Sequence, residues 1–220
     1  MESFYNSLRR NKTDSVFNPW FDVDNENDMN ALCPSKRLNN LKCYLIERLE
    51  AEYLFVAEAL GYQGGHFTGI PLTSERLILG GKIIKGIFPD LISKSKLERT
   101  SKVDLKRDGF SEPSATAVWE HILKLKMDPR NIVFWNAFPW HPYNDKIGIL
   151  SNRTPTETEL NEGRVVLKEL LAKIKFKKII ALGNEAFESL KKADIDVIKV
   201  RHPSYGGIPE FKRQIEQVFC

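Results

Sequence analysis

Four short apolar runs, each a near-unbroken string of β-branched and aromatic residues, set the narrowest limit on how this chain folds. They are YLFVAEAL (53–60), NIVFWNAF (131–138), KKIIALG (177–183) and DVIKVRHP (196–203). A strand with one wet face alternates apolar and polar residues, so near-continuous runs predict strands covered on both faces, as in a parallel sheet. Helical patterns separate them. Leu38, Leu41, Leu45 and Leu49 recur at helical steps over 36–52, and Leu77, Ile78, Ile84 and Ile87 over 74–88. Further helices are predicted over 114–126 with Ser114 as its cap, over 156–176 behind a Thr-Glu-Thr-Glu start, and over 184–193 and 209–219. Strand–helix alternation of this kind predicts an α/β fold, a three-layer α/β/α sandwich around a central, mostly parallel four-stranded sheet. Residues 1–35 are polar with a few aromatic anchors and are read as an N-terminal arm packed on a single domain of 36–220. The charged, poorly periodic segment 93–113 is expected to be a surface loop.

Composition narrows the classes of function. At 220 residues, with 42% hydrophobic and 28% charged, the chain can bury a core of its own and is not a largely disordered polymer. Lysine and arginine number 33 against 29 acids, a formal +4 that permits a nucleic-acid partner without demanding one. Cys33, Cys43 and Cys220 are too few and too scattered for a disulfide framework, a zinc site or a four-cysteine iron–sulfur cluster. With no apolar leader and no run of eighteen apolar residues, a membrane partner is not expected, and the setting is read as reducing and cytoplasmic.

Ligands of open α/β sheets sit beyond the carboxyl ends of the strands, so the residues there are the informative ones. The first run leads into EALGYQGGHFTGIPLTSE (58–75), the second ends in NAFPWHPY (136–143), the third in LGNEAF (182–187) and the fourth in RHPSYGG (201–207). An acid, an amide, an imidazole and an aromatic ring would then converge on one rim. Singly, each has a plainer reading: Glu58 solvated or paired with a lysine, Asn136 a backbone cap, His202 a satisfied half-buried histidine, Phe67 a core side chain. The Gly-rich turn lacks the GK[ST] ending of a P-loop and the GxGxxG of a dinucleotide site.

Taken jointly, these motifs resemble the uracil-DNA glycosylase superfamily. V-A-E-A-L-G (56–61) is similar to the water-activating motif of its thermophile-type branch, and Phe67 in H-F-T-G (66–69) resembles that branch's stacking phenylalanine. Asn136 matches the base-reading asparagine, L-G-N-E-A (182–186) the L-G-x-x-A before the last strand, and H-P-S (202–204) the motif that ends it. The chain lacks that branch's four cluster cysteines, so no cofactor is carried over. Ala57 and Leu60 stand where the branch has Gly and Pro, Ala59 where other members have a catalytic Asp or Asn, and Gly61 where the most uracil-strict members have a bulky residue.

The resemblance implies a metal-free hydrolase of base-excision repair that extrudes a damaged base from DNA and cleaves its glycosidic bond. Glu58 would position or deprotonate water, and a neutral His202, or amides of the 59–62 turn, would meet the departing base at O2. Ala59, Phe67 and Asn136 would line the base pocket, with Phe67 as its stacking face. Ser204 and the turn from Pro71 to Ser74 would reach phosphates, Arg201 would clamp a phosphate or brace its loop, and Tyr205 would fill the vacated stack or simply be a surface aromatic. The expected partner is DNA carrying a deaminated base, bound by a monomer. Ala59 and Gly61 leave open a substituted pyrimidine, hypoxanthine or xanthine as the base, or a relative that binds DNA without turnover. An unrelated phosphate- or nucleotide-handling enzyme, with HPSYGG as an anion-binding turn, is the remaining alternative.

Overall fold

A computed structural model describes residues 1–10 and 13–219; Cys220 lies outside them. The chain order is α1 (Glu2–Leu8), β1 (Val16–Phe17), α2 (Cys33–Ile46), β2 (Tyr53–Ala59), α3 (Gly65–Thr68), α4 (Glu75–Ile78), α5 (Pro89–Ile92), α6 (Pro113–Lys124), β3 (Ile132–Phe138), β4 (His141–Pro142), α7 (Glu157–Lys173), β5 (Lys178–Leu182), α8 (Asn184–Lys191), β6 (Ile198–Val200) and α9 (Ile208–Phe219). The central sheet has four strands in the order β3-β2-β5-β6, every pair parallel. The register sets Tyr53 beside both Ile132 and Lys178, and Ala57 beside Asn136. Glu58 and Asn136 thus leave the same end of the sheet. The chain runs from β2 to β3 on one side and to β5 on the other, and such a reversal of strand order opens a crevice at the carboxyl end.

The apolar runs are buried on both faces, as their composition requires. Phe55 and Phe134 meet edge to face, with Trp119 of α6 and Phe219 of α9 packed on them. On the opposite face Trp135 receives Phe4 of α1 and the parallel indole of Trp20. The open edge of β3 is covered rather than charged: the Tyr44 hydroxyl accepts the Phe134 N–H at 2.9 Å, and Arg48 Nε donates to the Ile132 carbonyl at 3.0 Å. Among the described residues no helix is long and apolar enough to cross a membrane.

Several described residues of the N-terminal segment, among them Phe4, Leu8, Phe17 and Trp20, are buried. Trp140 Nε1 donates to the Leu8 carbonyl at 2.8 Å, and the fully buried Arg37 pairs with Asp28 at 2.6 Å. Helix α2 starts at Cys33, three residues ahead of its predicted start.

Two local expectations need correction. The helix predicted over 74–88 is broken into α4, a 3-10 turn at Ile83–Lys85, and α5. Gly80 and Gly86 hold φ near +79° and +77°, which ends each piece, and Ile84, which the helical reading sets on one side with Leu77, Ile78 and Ile87, is 98% exposed while those three are buried. The segment 93–113 is irregular but not all surface. Thr100 and Ser101 are buried, and the buried Glu75 carboxylate accepts the N–H groups of Thr100, Ser101 and Phe110. That carboxylate takes the place of a strand partner for the loop's backbone.

Candidate active site

A cavity of about 740 Å³ opens at the carboxyl end of the sheet. Its lining comes from five places: the end of β2 and the loop after it (Glu58, Ala59, Leu72), the end of β3 (Asn136), the segment before α7 (Asn152, Arg153, Thr154), the turn after β6 (His202, Ser204, Tyr205) and the N-cap of α6 (Glu112). Of the residues singled out from the sequence, the structure brings Glu58, Ala59, Asn136, His202, Ser204 and Tyr205 to this cavity.

Asn136 is the most constrained of them. It is 1% exposed, and its Oδ1 is buried without a hydrogen-bond partner. An orphaned buried acceptor costs about 1–3 kcal/mol, so a strand that retains one on a cavity wall is prepared for a ligand N–H.

His202 has a defined proton. The Ser204 backbone N–H donates to Nδ1 at 3.1 Å, and the Ser204 hydroxyl lies 2.7 Å from the same nitrogen. A backbone N–H can only donate, so Nδ1 is the acceptor and Nε2 carries the hydrogen. Burial, helped by the neighbouring Arg201 cation, pushes the imidazole down to about 4. His202 is therefore a neutral N–H donor at pH 7.

Glu58 is half-buried. Burial raises its carboxyl above the ordinary range, Glu185 adds repulsion, and a hydrogen bond from Thr154 partly offsets both. Thr154 is itself fixed: the neighbouring Arg153 makes a two-toothed contact with Glu159 at 2.6 and 2.8 Å, and Glu159 closes the capping box of α7 with Thr156. The Thr-Glu-Thr-Glu sequence that starts a helix thus also positions a partner of the candidate water-activating acid.

The structure places two of the expected residues, Phe67 and Pro71, off the cavity. Phe67 is fully buried away from the cavity, stacked on Phe110 at 4.4 Å and touched by the His66 ring at 4.3 Å. The short helix Gly65–Thr68 turns its ring inward, so it offers no face to a base. Leu72 stands on the cavity wall instead. Its φ of +49° is strained for a leucine, and Trp119 Nε1 holds its carbonyl at 2.9 Å. Pro71 is buried and off the cavity, its carbonyl accepting from Thr73. Arg201 bridges the carbonyls of His202 and Ser204 and braces its own turn. Tyr205 is 97% exposed at φ +51°, on the rim.

The loops after β2 and β3 are locked together behind the cavity. His141 Nε2 lies 2.7 Å from the Ser151 carbonyl, which accepts only, so His141 Nδ1 accepts from His66 Nδ1 at 2.9 Å. His66 Nε2 then meets Asp24 Oδ2 at 3.0 Å, a contact that requires one more proton held between them.

Leu72, Glu112 and the 152–154 segment were not singled out by the sequence reading. Leu72 sits in an I-P-L-T stretch with no titratable group to draw attention. Glu112 was assigned to the irregular segment and Ser114 to the cap, whereas Glu112 is the N-cap residue and the Ser114 hydroxyl donates to it at 2.9 Å.

The model of the family described as "Uracil DNA glycosylase superfamily" matches residues 46–214. Among solved structures, wild-type SMUG2 of Pedobacter heparinus superposes with a TM-score of 0.59 at 13% identity, covering 98% of this chain and 97% of that one. No curated protein matches the sequence. The family match takes in β2 through β6 and nearly every cavity-lining residue, and on that ground the chain belongs to the uracil DNA glycosylase superfamily.

Proposed function

We propose that this chain is a monofunctional DNA glycosylase that hydrolyses the N-glycosidic bond of uracil in DNA, working as a monomer and without a cofactor. The unpaired buried Oδ1 of Asn136 on the cavity wall carries the reading. Uracil offers an N–H at N3 beside a carbonyl at C4, and one amide meets both in a plane. Cytosine presents the reverse pattern and leaves the amide unpaired. Extruding the base costs a few kcal/mol, least at a mispair. Leu72, rather than an aromatic ring, supplies the apolar contact, which gives up the ~1–3 kcal/mol that stacking provides.

Bond cleavage leaves negative charge on the departing base and positive charge on the sugar. His202 Nε2–H donates to O2 of the base as that charge develops. Because the ring is already neutral and held by Ser204, no reorganisation is needed at the transition state. Glu58 orients or deprotonates the attacking water and supports the oxocarbenium-like sugar. In this reading Ser204 contacts a phosphate of the strand and Tyr205, exposed on the cavity rim, fills the space the base has left.

The test is release of free base from a uracil-containing oligonucleotide, read as alkali cleavage at the abasic site. Salt-dependent binding without release would instead support a relative that has lost turnover, the reading Ala59 favours. A second base class is favoured by Gly61, where an added Cβ would meet nothing closer than the Asn152 side chain at 3.7 Å. That space admits a substituted uracil or a deaminated purine, and a panel of damaged bases in one strand context separates these from uracil.

A further inference from the structure

Glu112 is the one carboxyl of the cavity that the reaction above leaves without a role. It sits at the N-cap of α6, yet it makes no capping bond to the helix's own N–H groups. Instead it lines the cavity and is packed against the backbone of Gly64, in the loop after β2. A Cβ added at Gly64 would lie 1.8 Å from Glu112 Oε2, so only glycine leaves room for this carboxyl. Among the described residues the Ser114 hydroxyl, at 2.9 Å, is its hydrogen-bond donor. Of the charged or titratable groups that share the cavity, Arg153 is engaged by Glu159, His202 by Ser204, and Glu58 by Thr154. Tyr205, the remaining titratable group of the lining, is exposed on the rim, and among the described residues no cation pairs with Glu112.

Glu112 is half-buried in the cavity wall, and a carboxylate crowded by protein with neither a cation nor a backbone N–H beside it is disfavoured as an ion and takes up a proton more readily. Burial accordingly pushes Glu112 up to about 7, with Ser114 as a small opposing influence. A neutral carboxylic acid is a hydrogen-bond donor, which an ionised one is not. It also stands on the wall that Leu72 shares, since Trp119 of the same helix holds the Leu72 carbonyl.

We propose that Glu112 is a base-reading residue whose carboxyl O–H donates to a carbonyl oxygen of the extruded base. This rests on the glycosylase reading and deepens it: Asn136 Oδ1 takes a ring N–H while Glu112 gives a proton to a ring carbonyl. The substrate class so selected is an oxo-base with adjacent C=O and N–H groups, against an amino-base at the same position. The assignment separates the two acids of the cavity, Glu58 serving water and Glu112 serving the base.

The experiment compares Glu112→Gln and Glu112→Ala with wild type in single-turnover base release from uracil DNA between pH 5.5 and 9, with thermal unfolding measured alongside. Wild type should lose rate above neutrality as the acid ionises, approaching tenfold per pH unit. Glu112→Gln, whose amide keeps a donor at every pH, should stay within fivefold of wild type at pH 6.5 and lose the alkaline decline. Glu112→Ala should fall at least tenfold while folding remains intact. Abolished release in Glu112→Gln would make the carboxylate a base and overturn the proposal. So would an alkaline decline unchanged in Glu112→Gln. A wild type that releases no base from any oxo-base substrate would overturn this assignment and the glycosylase reading together; release by wild type with either failure above sinks the assignment alone.

Discussion

Replacing His202 by alanine removes one hydrogen-bond donor without exposing another group to take its place. The Ser204 N–H that now donates to Nδ1 lies on a half-exposed turn, where water can accept it, so the cost to folding is small. The cost to catalysis is not. A preorganised donor to a developing oxyanion contributes about 2.7–4 kcal/mol. At 1.36 kcal/mol per decade, that is on the order of a 100- to 1,000-fold loss. The magnitude belongs to the transition state, so single-turnover base release should fall while binding to an oligonucleotide carrying an uncleavable analogue changes little. The tautomer adds a second, independent signature. With the ring pushed down to about 4, His202 stays neutral from pH 5.5 upward. The wild-type rate should therefore show no ionisation near 6.5 that disappears in His202→Ala. A variant within threefold of wild type would refute the assignment, and an acid limb near 6.5 that vanishes with His202 would refute the neutral-donor argument.

Asn136→Ala should lower uracil release by roughly two orders of magnitude while leaving thermal stability nearly unchanged, because the amide removed is one whose acceptor has no partner in the folded chain. A matching loss of stability would mark Asn136 as structural. Phe67→Ala should destabilise by about 3–5 kcal/mol in denaturant titration and leave substrate affinity unchanged, whereas Leu72→Ala, at a position 4% exposed on the cavity wall, should cost about 2–5 kcal/mol and weaken substrate binding as well. Lost substrate affinity in a folded Phe67→Ala, with none in Leu72→Ala, would restore Phe67 to the base pocket. Acid should unfold the protein through its buried histidines. His141 is pushed down to about 3 by burial and by His66, and His202 to about 4 by burial and by Arg201. Between their folded values and about 6.5 the unfolded chain binds more protons, so stability is full above that range and lost as pH falls through it. Each group contributes a slope of up to about 1.4 kcal/mol per pH unit; a flat stability profile from pH 7 to 4 would contradict this.

The catalytic and base-reading positions were legible to very different degrees. Asn136 lies two residues before the end of β3 and His202 two residues beyond β6, strands whose apolar runs are unmistakable, and the parallel register carries both to one rim. Glu58 follows for the same reason, one residue before the end of β2. Phe67 and Leu72 lie five residues apart in a single loop, and no periodicity tells which of them faces the cavity. That was settled by the Gly65–Thr68 turn, which buries Phe67 against Phe110, and by the positive φ that presents Leu72. The 74–88 stretch shows the opposite hazard, since its leucines and isoleucines fit a helix while Gly80 and Gly86 forbid one.

The sequence by itself determined the layers, the strand ends and the order of the motifs, because hydrophobic periodicity and helix signals act over a few neighbouring residues. It could not determine which side chain a loop turns toward solvent or ligand, nor that an acid at the head of α6 would pack against Gly64 and come to rest, half-buried, on the cavity wall. Those outcomes depend on contacts between segments 48 residues apart in the chain, Gly64 with Glu112, and on the dielectric such contacts create. Ionisation is set by that surrounding medium, and only the tertiary fold supplies it.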